Sequence, residues 1–147
     1  MTKDEEKQCR TLASVCELRS ESDIDRYIEV IEQLRRSSSH DVLRHMLRCL
    51  RDTDAGEVQY ELVEASESYP IGVYVNTFLE EGLEVQRAAP EWFELMFQSI
   101  LNTDGCRDLA IKVINRMDMR RKEAYRRIIR QIAKEAPQYE LVLEQLS

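Results

Sequence analysis

Apolar residues in this chain recur every three to four positions, the period of an amphipathic helix, and nowhere alternate as a half-buried strand requires. Cys9, Leu12, Ala13 and Cys16 place a stripe on a first helix over residues 4–19. After a cap at Ser20 or Ser22, Ile24, Tyr27, Ile28, Ile31 and Leu34 mark a second, running to about Arg36. The Ser37-Ser38-Ser39 triplet breaks the pattern. A third helix follows on Val42, Leu43, Met46, Leu47 and Leu50.

Asp52-Thr53-Asp54, with Glu57 three residues after Asp54, reads as a capping box opening a fourth helix on Val58, Leu62, Ala65 and Tyr69. Pro70 suits the first turn of a fifth, which uses Ile71, Tyr74, Val75, Phe78, Leu79 and Leu83. Pro90 opens a sixth, apolar nearly all round from Trp92 to Leu101 and so expected at the centre of the fold. Asn102-Thr103-Asp104 caps a seventh, an eighth runs from about Arg120, and Pro137 opens the last.

The pattern predicts an all-α fold of eight to nine helices. Two echoes sharpen it: Leu50–Ala55 resembles Ile100–Gly105, and Ala89-Pro90-Glu91-Trp92 resembles Ala136-Pro137-Gln138-Tyr139. A spacing near fifty residues suits stacked antiparallel helical hairpins of the HEAT or armadillo kind, in which each pair buries its neighbour's apolar face. At 147 residues one domain, 1–147, is expected. The few glycines and prolines, four and three, favour long helices over turn-rich β structure.

Charge adds a second layer. The chain carries −7 overall, which argues against generic nucleic-acid binding. Residues 52–94 hold eleven carboxylates against Arg87 alone, whereas 105–134 hold ten bases against three acids. An ordinary exposed helix face mixes signs in i, i+4 pairs. The acidic stretch lacks those partners, and with Asp52 and Asp54 read as caps, the outward set is Glu57, Glu61, Glu64, Glu80, Glu81 and Glu84. These six are the candidate partner-binding residues. The basic helix, without interleaved exposed aromatics, reads as a solvated face.

Chemistry of other kinds finds little footing. His40 and His45 are five apart, on different faces of a helix, and Cys49 is the one further ligand type nearby, short of the paired spacing of structural zinc. Cys49 and His45 can be neighbours on one helix, but no third group or oxyanion-hole loop accompanies them and no Gly-rich phosphate loop occurs, so neither an enzyme nor a cofactor is expected. Cys9, Cys16, Cys49 and Cys106 lack compact spacing and read as reduced, buried thiols. The charged start MTKDEEKQC is no secretory signal, and no apolar run approaches a membrane span; a cytoplasmic protein with no membrane partner is expected.

From about Leu50 onward the order of features resembles the small all-helical immunity proteins of bacterial polymorphic-toxin and contact-dependent inhibition systems. The resemblance rests on the Asp52-Thr53-Asp54 turn with Glu57-Val58 after it, the Glu64–Tyr69 helix end, Ala89-Pro90-Glu91-Trp92, Ile100-Leu101-Asn102, and the closing Ala136-Pro137-x-Tyr139. It is similar to a numbered immunity family with a Pro-x-Trp … Ile-Leu-Asn core. What this implies is an inhibitor that holds a cognate toxin domain inactive, its acidic surface meeting the basic cleft of a nuclease-type effector. A helical-repeat adaptor for another protein partner is the alternative.

Overall fold

The computed structural model describes residues 1–147, and its regular elements are all helical. They are α1 (Lys3–Val15), α2 (Glu21–Leu34), α3 (His40–Arg48), α4 (Gly56–Glu67), α5 (Ile71–Ala88), α6 (Pro90–Asn102), α7 (Asp104–Asn115), α8 (Met119–Glu135) and α9 (Glu140–Gln145), the last preceded by a 3-10 turn at Pro137–Tyr139. No helix is long and apolar enough to cross a membrane. The chain forms two compact units, Met1–Phe97 and Gln98–Ser147, whose boundary falls inside α6.

In the first unit α1 packs on α2, and from there alternate helices become neighbours: α1 with α3, α3 with α5, α2 with α4. This is the two-layer stacking of helical hairpins that the sequence predicts, with α1, α3 and α5 in one layer and α2 and α4 in the other. The first turns of α6 join the second layer through a hydrogen bond from Trp92 Nε1 to Gln59 Oε1 (3.1 Å). Leu12, Ile31, Leu34, Val42, Leu43, Met46, Leu47, Leu62, Val75 and Phe78 are buried where apolar periodicity places them. The Phe78 ring stacks on Phe93 and Phe97 with centroids 5.5 and 6.4 Å away, holding α5 against the start of α6.

Several faces are rotated from their expected phase. α1 ends at Val15, where the chain turns through Leu18 at φ 52°, a left-handed conformation that is uncommon for a non-glycine residue. Val15 joins its buried stripe in place of Ala13, which is exposed. On α2, Val30 is buried and Ile28 is exposed. α6 is not apolar all round: Leu95 is 55% exposed and Trp92 half-buried. Two polar residues, Gln59 and Ser66, lie fully buried on α4; Ser66 Oγ satisfies itself on the Leu62 carbonyl (2.8 Å).

Helix ends show the largest departure from local expectation. Asp54 does not cap α4, whose N-cap is Ala55 with no side-chain bond. Asp52 instead reaches forward about forty residues: its carboxylate accepts the backbone N–H of Glu91 (2.9 Å) and Trp92 (3.3 Å) at the start of α6. Pro90 offers no N–H there, so the two donors Asp52 accepts are among the first orphan groups of the helix, and the carboxylate also meets the positive end of the helix dipole. The capping box occurs elsewhere, between Thr2 and Glu5 on α1. Ser20 caps α2 and Asp118 caps α8.

In the second unit α8 packs against α7, the 3-10 turn and α9. Tyr125, Ile129, Ile132, Tyr139 and Val142 are buried. Tyr139 donates to Asn102 Oδ1 (2.7 Å), and Asn115 bonds both the Gln145 carbonyl (3.2 Å) and the Ser147 N–H (2.8 Å), tying down the chain end. The Ala-Pro echo is a structural one. Ala89 (φ −147°, ψ 69°) and Ala136 (φ −136°, ψ 84°) both close a helix in the same non-helical conformation, because the following proline disfavours αR.

Two stability measurements check this assignment. In chemical denaturation, Asp52→Ala should lose about 1 kcal/mol as an N-cap removal, while Asp54→Ala stays within about 0.5 kcal/mol; equal losses would return Asp54 to a capping role. Glu5 also bonds Ser37, and that bond, with the Thr2 backbone bond after it, lowers its pKa below the ordinary value of 4.5. A lowered carboxylate stabilises above the unfolded value and loses that contribution as pH falls through the folded one. Glu5→Ala should therefore show a constant deficit at neutral pH that shrinks as the pH drops below about 4.5, read by thermal denaturation at each pH.

Candidate functional site

α4 supplies the feature that packing does not consume. Its sequence, GEVQYELVEASE, contains four carboxylates and no cation. Leu62, Val63, Ala65 and Ser66, together with Gln59, turn one side of the helix inward. The opposite stripe, at i, i+3, i+4 and i+7, is Glu57, Tyr60, Glu61 and Glu64. Glu57 and Glu64 are exposed and make no protein contact through their carboxylates, and Tyr60 is 48% exposed between them. Glu61 is half-buried, 3.6 Å from Arg35 at the end of α2. Tyr69, whose hydroxyl donates to the Leu34 carbonyl (3.2 Å), fixes the far end of α4 on the same neighbour.

The other three expected residues lie on α5, in the other layer, and differ in kind. Glu80 is exposed but accepts from Arg44 Nη2 (3.0 Å). Glu84 is exposed and paired with Arg87 one turn on (2.8 Å). Glu81 is only 7% exposed: Arg44 Nε (2.9 Å) and both Nε (3.0 Å) and Nη2 (3.1 Å) of Arg48 hold it. It faces α3, not solvent, which corrects its placement in the outward set. The phase contained the signal, since Tyr74, Phe78, Glu81 and Val85 run at i, i+4, i+7 and i+11 along the buried stripe. Arg44 and Arg48, four apart on α3, are the matching cations.

The six carboxylates thus form two groups, a trio on α4 without cations of its own helix and a partly neutralised set on α5. Beside the latter lies a cleft of about 350 Å³ lined by Leu47, Arg48, Arg51, Glu84, Val85 and Ala88. Its arginines are already engaged, Arg48 by Glu81 and Arg51 by Glu17 (3.0 Å) and the carbonyls of Arg48 and Leu50. Sequence reasoning passed over Tyr60: it lies off the apolar phase of Val58, Leu62, Ala65 and Tyr69, and the outward set was drawn from the carboxylates alone.

The remaining reactive side chains are placed inside the fold. All four cysteines are free and buried. Cys16 and Cys49 interact, which holds the Cys16 thiol below the usual thiol range, helped by Arg51 and opposed by burial, and pushes Cys49 up together with burial. His45 is half-buried on α3, His40 is exposed with Nε2 3.7 Å from Asp41, and no group of three or more His, Cys, Asp or Glu is placed to hold a metal ion.

The distinction between the two carboxylate groups is measurable. Glu81→Ala leaves Arg48 without a carboxylate and removes one of the three that Arg44 contacts. It should cost about 2 kcal/mol in urea denaturation, as for a lost hydrogen bond to charged groups, whereas Glu57→Lys should stay within about 0.5 kcal/mol. Equal effects would mean that Glu81 is as dispensable to folding as the α4 stripe.

Curated proteins and solved structures give no match to this chain. A family model described as Immunity protein 30 matches residues 14–110, a span that contains α2 to α6 whole. It begins well before Leu50, where the resemblance starts, and stops short of the Ala136-Pro137 segment. Covering more than half of the chain, and running through both layers of the first unit, the match shows that this protein belongs to the Immunity protein 30 family.

Proposed function

We propose that this protein binds and neutralises a cognate toxin domain in the cytoplasm of the cell that makes both, by protein–protein contact and without catalysis of its own. The observation that carries the contact site is the α4 stripe: Glu57, Glu61 and Glu64 with Tyr60 exposed among them and no cation on the helix. Membership in an immunity family supplies the class of partner. The stripe supplies a chemistry for it, a basic protein surface such as the substrate cleft of a nuclease-type effector. Carboxylates would steer encounter and set specificity, while a tyrosine seated in a pocket of the partner would supply a large share of the affinity. Glu80 and Glu84, already paired with arginines on the other layer, have a lesser part in this reading, and Glu81 a structural one.

A toxin domain encoded in the adjacent upstream reading frame, where there is one, is the test partner, with binding followed by stopped-flow fluorescence or surface plasmon resonance. The E57K/E64K variant should associate at least about tenfold more slowly at low salt, with dissociation little changed. Tyr60→Ala should act mainly on dissociation, weakening binding by about 2 kcal/mol, roughly thirtyfold. Wild-type affinity and protection in both variants would remove α4 from the interface, and failure of the wild-type chain to bind or protect would remove the pairing with that toxin.

A further inference from the structure

The charge of this chain is divided as well as acidic. Residues 1–97 hold 21 acids and 11 bases, and residues 98–147 hold 7 acids and 10 bases, so the two units carry −10 and +3. Most of the positive charge lies on α8. There Tyr125, Ile129, Ile132 and Ala133 face inward, and the solvent side carries Arg120, Arg127, Arg130 and Lys134. Arg130 is partly neutralised by Glu123 (3.3 Å), and Lys134 contacts only the neutral Gln131 (3.2 Å). Arg120 and Arg127 are exposed and pair with no carboxylate, unlike Arg121 and Arg126 beside them, which do. Arg120, Arg127 and Lys134 recur every seven residues, a cation about every 10.5 Å along one line of the helix.

That face needs an anionic partner with a matching repeat, and the chain itself contains one. Glu57 and Glu64 on α4 are also seven residues apart, exposed and unpaired, with Glu61 between them. We propose that the α8 face docks on the α4 stripe of a second copy of this chain, giving a salt-sensitive, head-to-tail self-association. The fit is electrostatic and repeats with the same step on both helices, so two or three ion pairs can form at once where isolated surface pairs contribute little. Because the same stripe is covered, a self-associated copy has its α4 contact surface closed. The inference uses the chain alone and stands whether or not α4 meets a toxin.

Sedimentation velocity of the full chain, over a range of protein concentrations, tests it at about 10 mM and about 1 M salt, where the Debye length is roughly 30 and 3 Å. The expected result is a concentration-dependent rise from the 17.3 kDa monomer to a dimer or larger species at low salt, and monomer alone at high salt. E57K/E64K and R120E/R127E should each remain monomeric at low salt, and an equimolar mixture of the two should associate again, since each variant then offers the other a complementary face. Should a reversal unfold the chain, as circular dichroism would show, E57Q/E64Q and R120Q/R127Q carry the same expectation of monomer at low salt. Monomer at low salt for the unmodified chain, association that survives high salt or either variant, or a mixture that stays monomeric would overturn the proposal.

Discussion

The rotation of α4 about its own axis decides what this protein presents to its surroundings, and one hydrogen bond does much to set it. Gln59 is fully buried, and its side-chain oxygen accepts the indole N–H of Trp92 from the start of α6. Leu62 and Ala65 pack on the same side and Tyr69 is tied to the Leu34 carbonyl. Turning the helix would therefore break the Gln59–Trp92 bond and lift these apolar groups out of the core, although the Gln59 amide nitrogen itself is buried without a partner. A shift of one residue would turn the buried face by about 100° and carry carboxylates toward the core. The outward stripe of Glu57, Tyr60, Glu61 and Glu64 follows from that fixed rotation.

Asp52 and the phenylalanine stack extend the same logic to α6. The Asp52 carboxylate sits on the first free N–H groups of the helix, and Phe93 and Phe97 lie against Phe78 of α5. Trp92 therefore reaches Gln59 from a helix whose start is pinned on both layers. Of the carboxylates of α5, Glu81 is spent on the inside of this arrangement, neutralised by Arg44 and Arg48, while Glu80 and Glu84 are exposed but paired with Arg44 and Arg87. On α4, Glu57 and Glu64 are left unpaired while Glu61 meets Arg35, and a surface left over by folding is where a binding role is best sought.

Much of this was legible in the sequence, and the parts that were not share a cause. Helical periodicity located the helices, and the prolines at 70, 90 and 137 marked three of the junctions, because both signals are local. The family, too, could be read from capping and packing residues after Leu50, though the match extends further back, to residue 14. The roles of Asp52, Gln59 and Glu81 depend on partners 33 to 40 residues away, at Glu91 and Trp92 and at Arg44 and Arg48, and no local rule reaches that far. Asp52 looked like the cap of the helix it precedes because aspartate so often is one. Glu81 looked exposed because charge outweighed phase, although Phe78 and Val85 bracket it on the buried stripe.

The claim on which the functional account rests is that α4 meets the toxin. Amide hydrogen exchange of this chain, alone and saturated with a cognate toxin domain, measures that most directly, without altering any side chain. The account predicts that slowed exchange on binding is concentrated in residues 56–68, with no slowing in α8. Unchanged exchange across α4, with protection appearing elsewhere on the chain, would contradict it.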